Sequence, residues 1–135
     1  MASEDKDKQP QVTRNHNFAM ALKNALHGIL VVVLRERNMR IHIISAFMIL
    51  LAGLYCGLRR SDWLWVTIGV FLVIYSEFLN TIVESIVDLI VGRRYHVLAG
   101  LAKDLAAGLV LVAVGVEMII LLIIFEPYVY HLLWH

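Results

Sequence analysis

The sequence has one cysteine, Cys56, and two prolines, Pro10 and Pro127, in 135 residues. A lone thiol excludes an intrachain disulfide framework, and no Cys/His spacing matches a zinc site, so Cys56 reads as a packing residue. A surplus of one charge is also lacking. The formal net charge of +1 supplies no field that would draw nucleic acid, and nucleic acid is not an expected partner. The G-x-x-x-x-G-K-[ST] and G-x-G-x-x-G patterns and the H-R-D and D-F-G pair are absent, so any nucleotide site must be built differently from the familiar soluble cradles. Charged residues are only 17% of the chain, whereas hydrophobic residues are 60% and mean hydropathy is +0.74. By length this is a single domain, and by composition its main solvent is lipid.

Residues 1–17 mix both charge signs around Pro10 and lack the apolar stretch of a cleaved secretory signal. They are expected to be a disordered cytoplasmic tail, with one membrane-embedded domain over 18–135. Phe18, Leu22, Ala25, Leu26, Ile29 and Val33 recur at spacings of three and four, while Lys23, Asn24 and His27 lie mostly off that stripe. This predicts an amphipathic helix over 18–36 lying in the plane of the membrane surface, closed by the basic cluster from Arg35 to Arg40. Apolar runs at about 41–58, 63–91 and 105–125 are each long enough to cross a hydrocarbon core of about 30 Å. Lys6, Lys8, Arg14, Lys23, Arg35, Arg37 and Arg40 precede the first run, and Arg93, Arg94 and Lys103 fall between the second and third. With three spans this places the N-terminus and the Gly92–Asp104 loop on the cytoplasmic side, in a cell inner membrane. Trp63, Trp65, Tyr128, Tyr130 and Trp134 then form an outer aromatic belt.

The second span carries the chemistry. Glu77, Asn80, Thr81, Glu84 and Asp88 are spaced i, i+3, i+4, i+7 and i+11, which puts them on one face of a helix. Each carboxylate in a membrane helix costs at least about 2.5–3.5 kcal/mol on insertion scales, so such residues face a bundle interior or a functional cavity. Polar glue between helices is the bland alternative, but gluing rarely needs three acids with no basic partner on the same helix. Glu77 and Glu84 are about 10 Å apart in helix rise, too far to share a proton and suited to separate duties, one binding metal and the other handling a proton. That division suits phosphoryl transfer, for which Lys103 can supply positive charge. Lys103, Asp104 and Glu36 all fall near the cytoplasmic ends of their segments, so one interfacial site can draw on all three.

E-F-L-N-T-I-V-E-S-I-V-D from Glu77 to Asp88 and Y-H-V-L-A-G-L-A-K-D from Tyr95 to Asp104 resemble the prokaryotic diacylglycerol kinase and undecaprenol kinase family. The likeness extends from about Phe18 to Phe125 and includes E-R-N-M-R-I-H from Glu36 to His42. It implies an all-α membrane protein with a surface helix and three transmembrane helices per subunit, assembled as a homotrimer with active sites shared between neighbouring chains. It also implies ATP as phosphoryl donor, Mg²⁺ as cofactor and a lipid alcohol as acceptor. By motif, Glu77 corresponds to the general base, and Glu36 and Glu84 to the metal ligands. Asn24, Glu36, Asn80, Glu84, Asp88, Arg94, Tyr95, His96, Lys103 and Asp104 correspond to the ATP-binding set. The E-R-N-M-R-I-H and N-T-I-V-E segments look closer to the Gram-positive undecaprenol kinases, which makes undecaprenol the preferred acceptor and diacylglycerol the alternative.

The family pattern assigns nothing to Glu117, which reads as a hydrogen-bonded interhelical residue. His42 reads as an interfacial polar group, and Gly108 and Gly115 as close-packing positions in an oligomer. Thr81 is expected to bond back to its own helix. A contrasting function, an ion or proton path in a small membrane subunit, is disfavoured because the acids stop in the cytoplasmic half.

Overall fold

The computed structural model describes residues 18–92 and 94–134, excluding the side chains of 132 and 133; the tail over 1–17 and Arg93 fall outside the described residues. Four helices follow one another: α1 Phe18–Arg35, α2 Arg37–Cys56, α3 Arg60–Val91 and α4 Val97–Trp134. All four are long and apolar enough to cross a membrane by length and composition, α1 included. The chain divides into two units, one ending at Val31 and the other beginning at Val32. In α1 no residue is buried.

The basic cluster does not open a loop. Glu36 alone separates α1 from α2, in an extended conformation as the N-cap of α2, so Arg37, Asn38 and Arg40 lie in its first turn. Arg40 Nη1 donates to the Leu34 carbonyl at 2.6 Å and Glu36 N–H donates to the Val32 carbonyl at 2.9 Å. Those bonds satisfy carbonyls that a helix end leaves open, which is why so short a junction suffices. At its other end α2 stops at Gly57, whose φ of 67° is a conformation that only glycine adopts without strain. The connection to α3 is therefore Gly57–Arg59, shorter than the Arg59–Asp62 turn read from the sequence. Asp62 is already helical, and its Oδ2 accepts from the Arg59 backbone N–H at 3.3 Å and from Arg59 Nε at 3.2 Å.

The principal packing is α3 against α4, with α2 against α3 second. Asp62, Val66, Gly69, Val73, Ser76, Glu77 and Asn80 are the buried positions of α3, spaced by threes and fours along one seam. Ala106 and Ala113, seven apart, are the buried positions of α4. Gly69 lets the backbones close up: a Cβ there would lie 3.4 Å from Glu117 Cγ and 3.5 Å from Glu117 Cα. Gly108 and Gly115 have nothing within 4 Å of a built Cβ, so within one chain they pack against no other helix. Since an alanine at 69 meets ordinary contact and a leucine does not fit, G69A should leave thermal unfolding in detergent almost unchanged. G69L should cost about 1–3 kcal/mol, measured on the same protein.

The apolar run 105–125 is the centre of a longer helix. α4 starts at Val97, which makes Lys103 and Asp104 helical and confines the loop to residues 92–96. It also continues through Pro127, where the sequence pattern predicts its end. Proline removes one helical N–H, a loss that membrane helices tolerate where neighbouring groups re-satisfy the backbone. Beyond it, Tyr128 Oη donates to Asp62 Oδ2 at 3.3 Å, tying this extra stretch to the start of α3. Large apolar side chains such as Ile44, Phe47, Phe71, Leu89, Leu111 and Leu122 remain exposed on the outward faces. In water such surface is a liability, whereas lipid solvates it at no cost.

Candidate functional site

The polar stripe forms as its spacing predicts, and it is graded in depth. Glu77 is 2% exposed and Asn80 7%, Thr81 and Glu84 are half-buried, and Asp88 is exposed about 16 Å farther along the helix. Thr81 Oγ1 donates to the Glu77 carbonyl at 3.0 Å, the back-bond expected of a threonine in an apolar helix. Asn80 Nδ2 donates to Glu84 Oε1 at 3.1 Å, one turn on. Among the described residues the Glu77 carboxylate has no hydrogen-bond or ion-pair partner, and it feels the negative charges of Glu84 and Glu36. It lines a concavity between the helices, where an ionisable group in a membrane helix is expected to face.

Two concavities hold most of the predicted residues. The deeper one, about 240 Å³, has Glu77 and Asn80 from α3 and Asn38 from α2 as its polar lining, with Ala107, Val110, Leu111 and Val114 of α4 as an apolar wall. The shallower one, about 300 Å³, lies where α3 turns into α4. Asp88, Arg94, Tyr95, His96 and Lys103 line it together with Gly92, Gly100 and apolar neighbours. Lys103 Nζ donates to Asp88 Oδ1 at 2.6 Å. Asp88 is largely solvated and Lys103 partly so, and such exposed pairs contribute only about 0.2–1 kcal/mol, so this one orients a cation more than it stabilises a fold. Gly92, with φ of 58°, turns the chain sharply enough to bring Arg94, Tyr95 and His96 back over the rim.

Four predicted residues lie outside the lining of both concavities, Glu84 among them, which the Asn80 amide joins to the deeper one. Glu36 is the half-buried N-cap of α2, connected to the deeper groove through its charge acting on Glu77. Asp104 is exposed beside Lys103 but turned about 100° around the helix, away from Asp88. Asn24 is exposed on α1 in the first unit. Asn38 is a lining residue that the sequence pattern does not single out, since it stands inside the charged cluster. The signal that could have found it is its place two residues after Glu36, in the first turn of the next helix.

As donors for a metal, Glu36 and Glu84 offer hard carboxylate oxygens, and the Asn80 carboxamide oxygen is buried without a hydrogen-bond partner. Among the described residues no three His, Cys, Asp or Glu side chains form a closed cage. That donor set fits Mg²⁺, which typically takes one or two carboxylates and fills its octahedron with water and substrate phosphates.

The sequence pattern of the prokaryotic diacylglycerol kinase family matches residues 23–125, which include every residue of both concavities. A diacylglycerol kinase of Synechocystis sp. is 37% identical over 97 residues, 72% of this chain and 55% of that protein. This chain thus spans about half the length of that relative. An undecaprenol kinase of Bacillus subtilis is 34% identical over 124 residues, covering 92% of this chain and 98% of that one. A diacylglycerol kinase of Escherichia coli is 45% identical over 51 residues, 38% of this chain and 41% of the relative.

Proposed function

Because the chain belongs to the prokaryotic diacylglycerol kinase family, we propose that it transfers the γ-phosphoryl group of ATP, with Mg²⁺, to the hydroxyl of a membrane lipid alcohol. The observation that carries this reading is the placement of Glu77: a carboxylate 2% exposed, without a hydrogen-bond partner among the described residues, on the lining of a groove whose opposite wall is apolar. A base that must meet a hydroxyl at the end of a hydrocarbon chain belongs in such a place.

Glu77 takes the proton as the alcohol oxygen attacks the γ-phosphorus; the new O–P bond forms as the bond to the ADP oxygen breaks. Magnesium, when bound, neutralises charge on the phosphate oxygens, and Glu36 and Glu84 are the residues to hold it. Lys103 adds positive charge on the phosphates, while Asp88 keeps its long side chain aimed at the shallower concavity. Arg94, Tyr95, His96 and Asp104 bind the nucleotide around that rim, and Asn24 belongs to the ATP-binding set by its motif alone. In the membrane, α1 lies in the cytoplasmic surface and α2, α3 and α4 cross, with the N-terminus inside and three chains sharing their active sites.

For the acceptor, undecaprenol is preferred. The match to the B. subtilis undecaprenol kinase runs almost end to end in both chains, which supports this choice over diacylglycerol. Purified protein in detergent, given ATP labelled at the γ-phosphate and either undecaprenol or a diacylglycerol, is expected to label undecaprenol the faster, and EDTA is expected to stop the reaction. Label in neither lipid would end the proposal, and a faster diacylglycerol reaction would reverse the acceptor assignment.

A further inference from the structure

Two ionisable residues within the apolar helices are unused by the reaction, and both lie on inward stripes. The less exposed positions of α2 include Met39, His42, Ala46, Ile49, Gly53 and Cys56, at spacings of three and four. Only His42 among them can carry positive charge. On α4 the corresponding stripe runs through Ala106, Val110, Ala113, Glu117, Ile120 and Ile124, with Lys103 and Tyr128 about one turn beyond its ends. Lys103 bonds to Asp88 and Tyr128 to Asp62, so both end groups find partners on α3. Glu117 does not, because the α3 residue it lies over is Gly69, which has no side chain to offer. Glu117 is interhelical, as its position predicts, but among the described residues it makes no hydrogen bond, and the side-chain charge acting on it is that of His42. Ionisable groups inside a membrane protein characteristically pair with one another in this way.

We infer that His42 and Glu117 form an electrostatic tie between α2 and α4 that sets the register of α2 and so holds Glu36 beside the α3 stripe. This rests on the kinase reading, in which Glu36 is a metal ligand. The other inward contacts of α2 differ in kind from end to end. Near its C-terminus Gly53 is locked, since a Cβ there would lie 2.7 Å from Trp63 Cη2 and 2.9 Å from Leu58 Cδ1. About 21 Å along the helix, Met39 is fully buried, but methionine adapts to more than one packing and apolar contact has no direction. His42 follows Met39 by three residues and supplies the direction that Met39 lacks. A turn or slip of α2 carries His42 away from Glu117 and leaves each group alone among hydrocarbon, a cost that selects one register. Glu36, the N-cap of α2, moves with the helix. His42 and Glu117 are thus positioning residues that act on the metal through Glu36.

Binding of Mn²⁺ in place of Mg²⁺, followed by electron paramagnetic resonance with a non-hydrolysable ATP analogue, reads the metal site without turnover. H42Q and E117Q should each weaken Mn²⁺ binding about threefold to tenfold. H42Q/E117Q should weaken it no more than the larger single loss, because either change alone already breaks the tie. E117D keeps the charge and should bind Mn²⁺ as the wild type does, and the KM for the lipid alcohol should be little changed throughout. A merely structural role predicts lower thermal unfolding with the Mn²⁺ affinity of the folded protein unchanged, and that result overturns the inference, as do additive losses in the double variant. If E117Q does not fold, H42Q decides alone: wild-type Mn²⁺ affinity in it overturns the inference and leaves the kinase reading intact. Wild-type protein that phosphorylates no lipid overturns that reading and this inference with it.

Discussion

E77Q is expected to lower phosphoryl transfer by about two to four orders of magnitude, the usual contribution of a positioned general base. The substitution keeps the shape of the side chain and its place in the groove but removes the ability to accept a proton. Because Glu77 has no hydrogen-bond partner among the described residues, nothing in the chain depends on its charge for folding. Circular dichroism, thermal unfolding and the assembly state in detergent should therefore match the wild type, with the loss confined to kcat. Polar glue between helices predicts the reverse pattern, with weakened assembly and activity lost only in proportion to it.

Removing the carboxylate of Glu84 is expected to act on the metal. E84A should lower kcat/KM for Mg-ATP by about a hundredfold or more, the scale seen when a stabiliser of developing charge is lost. Excess Mg²⁺ should recover part of this, since a weakened site still fills by mass action. Binding of the lipid alcohol, followed by crosslinking without nucleotide, should persist. One complication is built into the structure: Asn80 Nδ2 donates to Glu84 Oε1, so E84A also frees the Asn80 amide to rotate. E84Q retains an acceptor for that bond while removing the charge. A metal role therefore predicts that E84A and E84Q are similarly impaired; a role in fixing Asn80 predicts that only E84A is.

The stripe is legible in the sequence because its cost is local. A carboxylate in a membrane helix must face something useful whatever the neighbouring helices do, so spacing alone assigns Glu77, Asn80, Glu84 and Asp88 to one face. The depth gradient along it is not legible, because it depends on where α4 ends its cover of α3. Helix ends are hard to read for a related reason. In water a charged cluster or a proline punctuates a helix, but Arg37 and Arg40 sit within α2, and α4 passes through Pro127. Long helices whose ends are set by packing and by the membrane surface need not stop at such residues. Asn38 is hidden between arginines, and its part in the groove depends on α2 starting directly after Glu36. Gly69 gives no signal either, since only the approach of Glu117 distinguishes it from Gly108 and Gly115.

The stereochemical course at phosphorus tests most directly whether Glu77 acts as a base on the acceptor. With ATP made chiral at its γ-phosphorus by oxygen isotopes, attack by the alcohol in a single in-line step predicts a lipid phosphate of inverted configuration. Retention would mean two displacements through a phosphorylated side chain, with a carboxylate of the stripe serving as nucleophile, and would contradict a general-base role for Glu77.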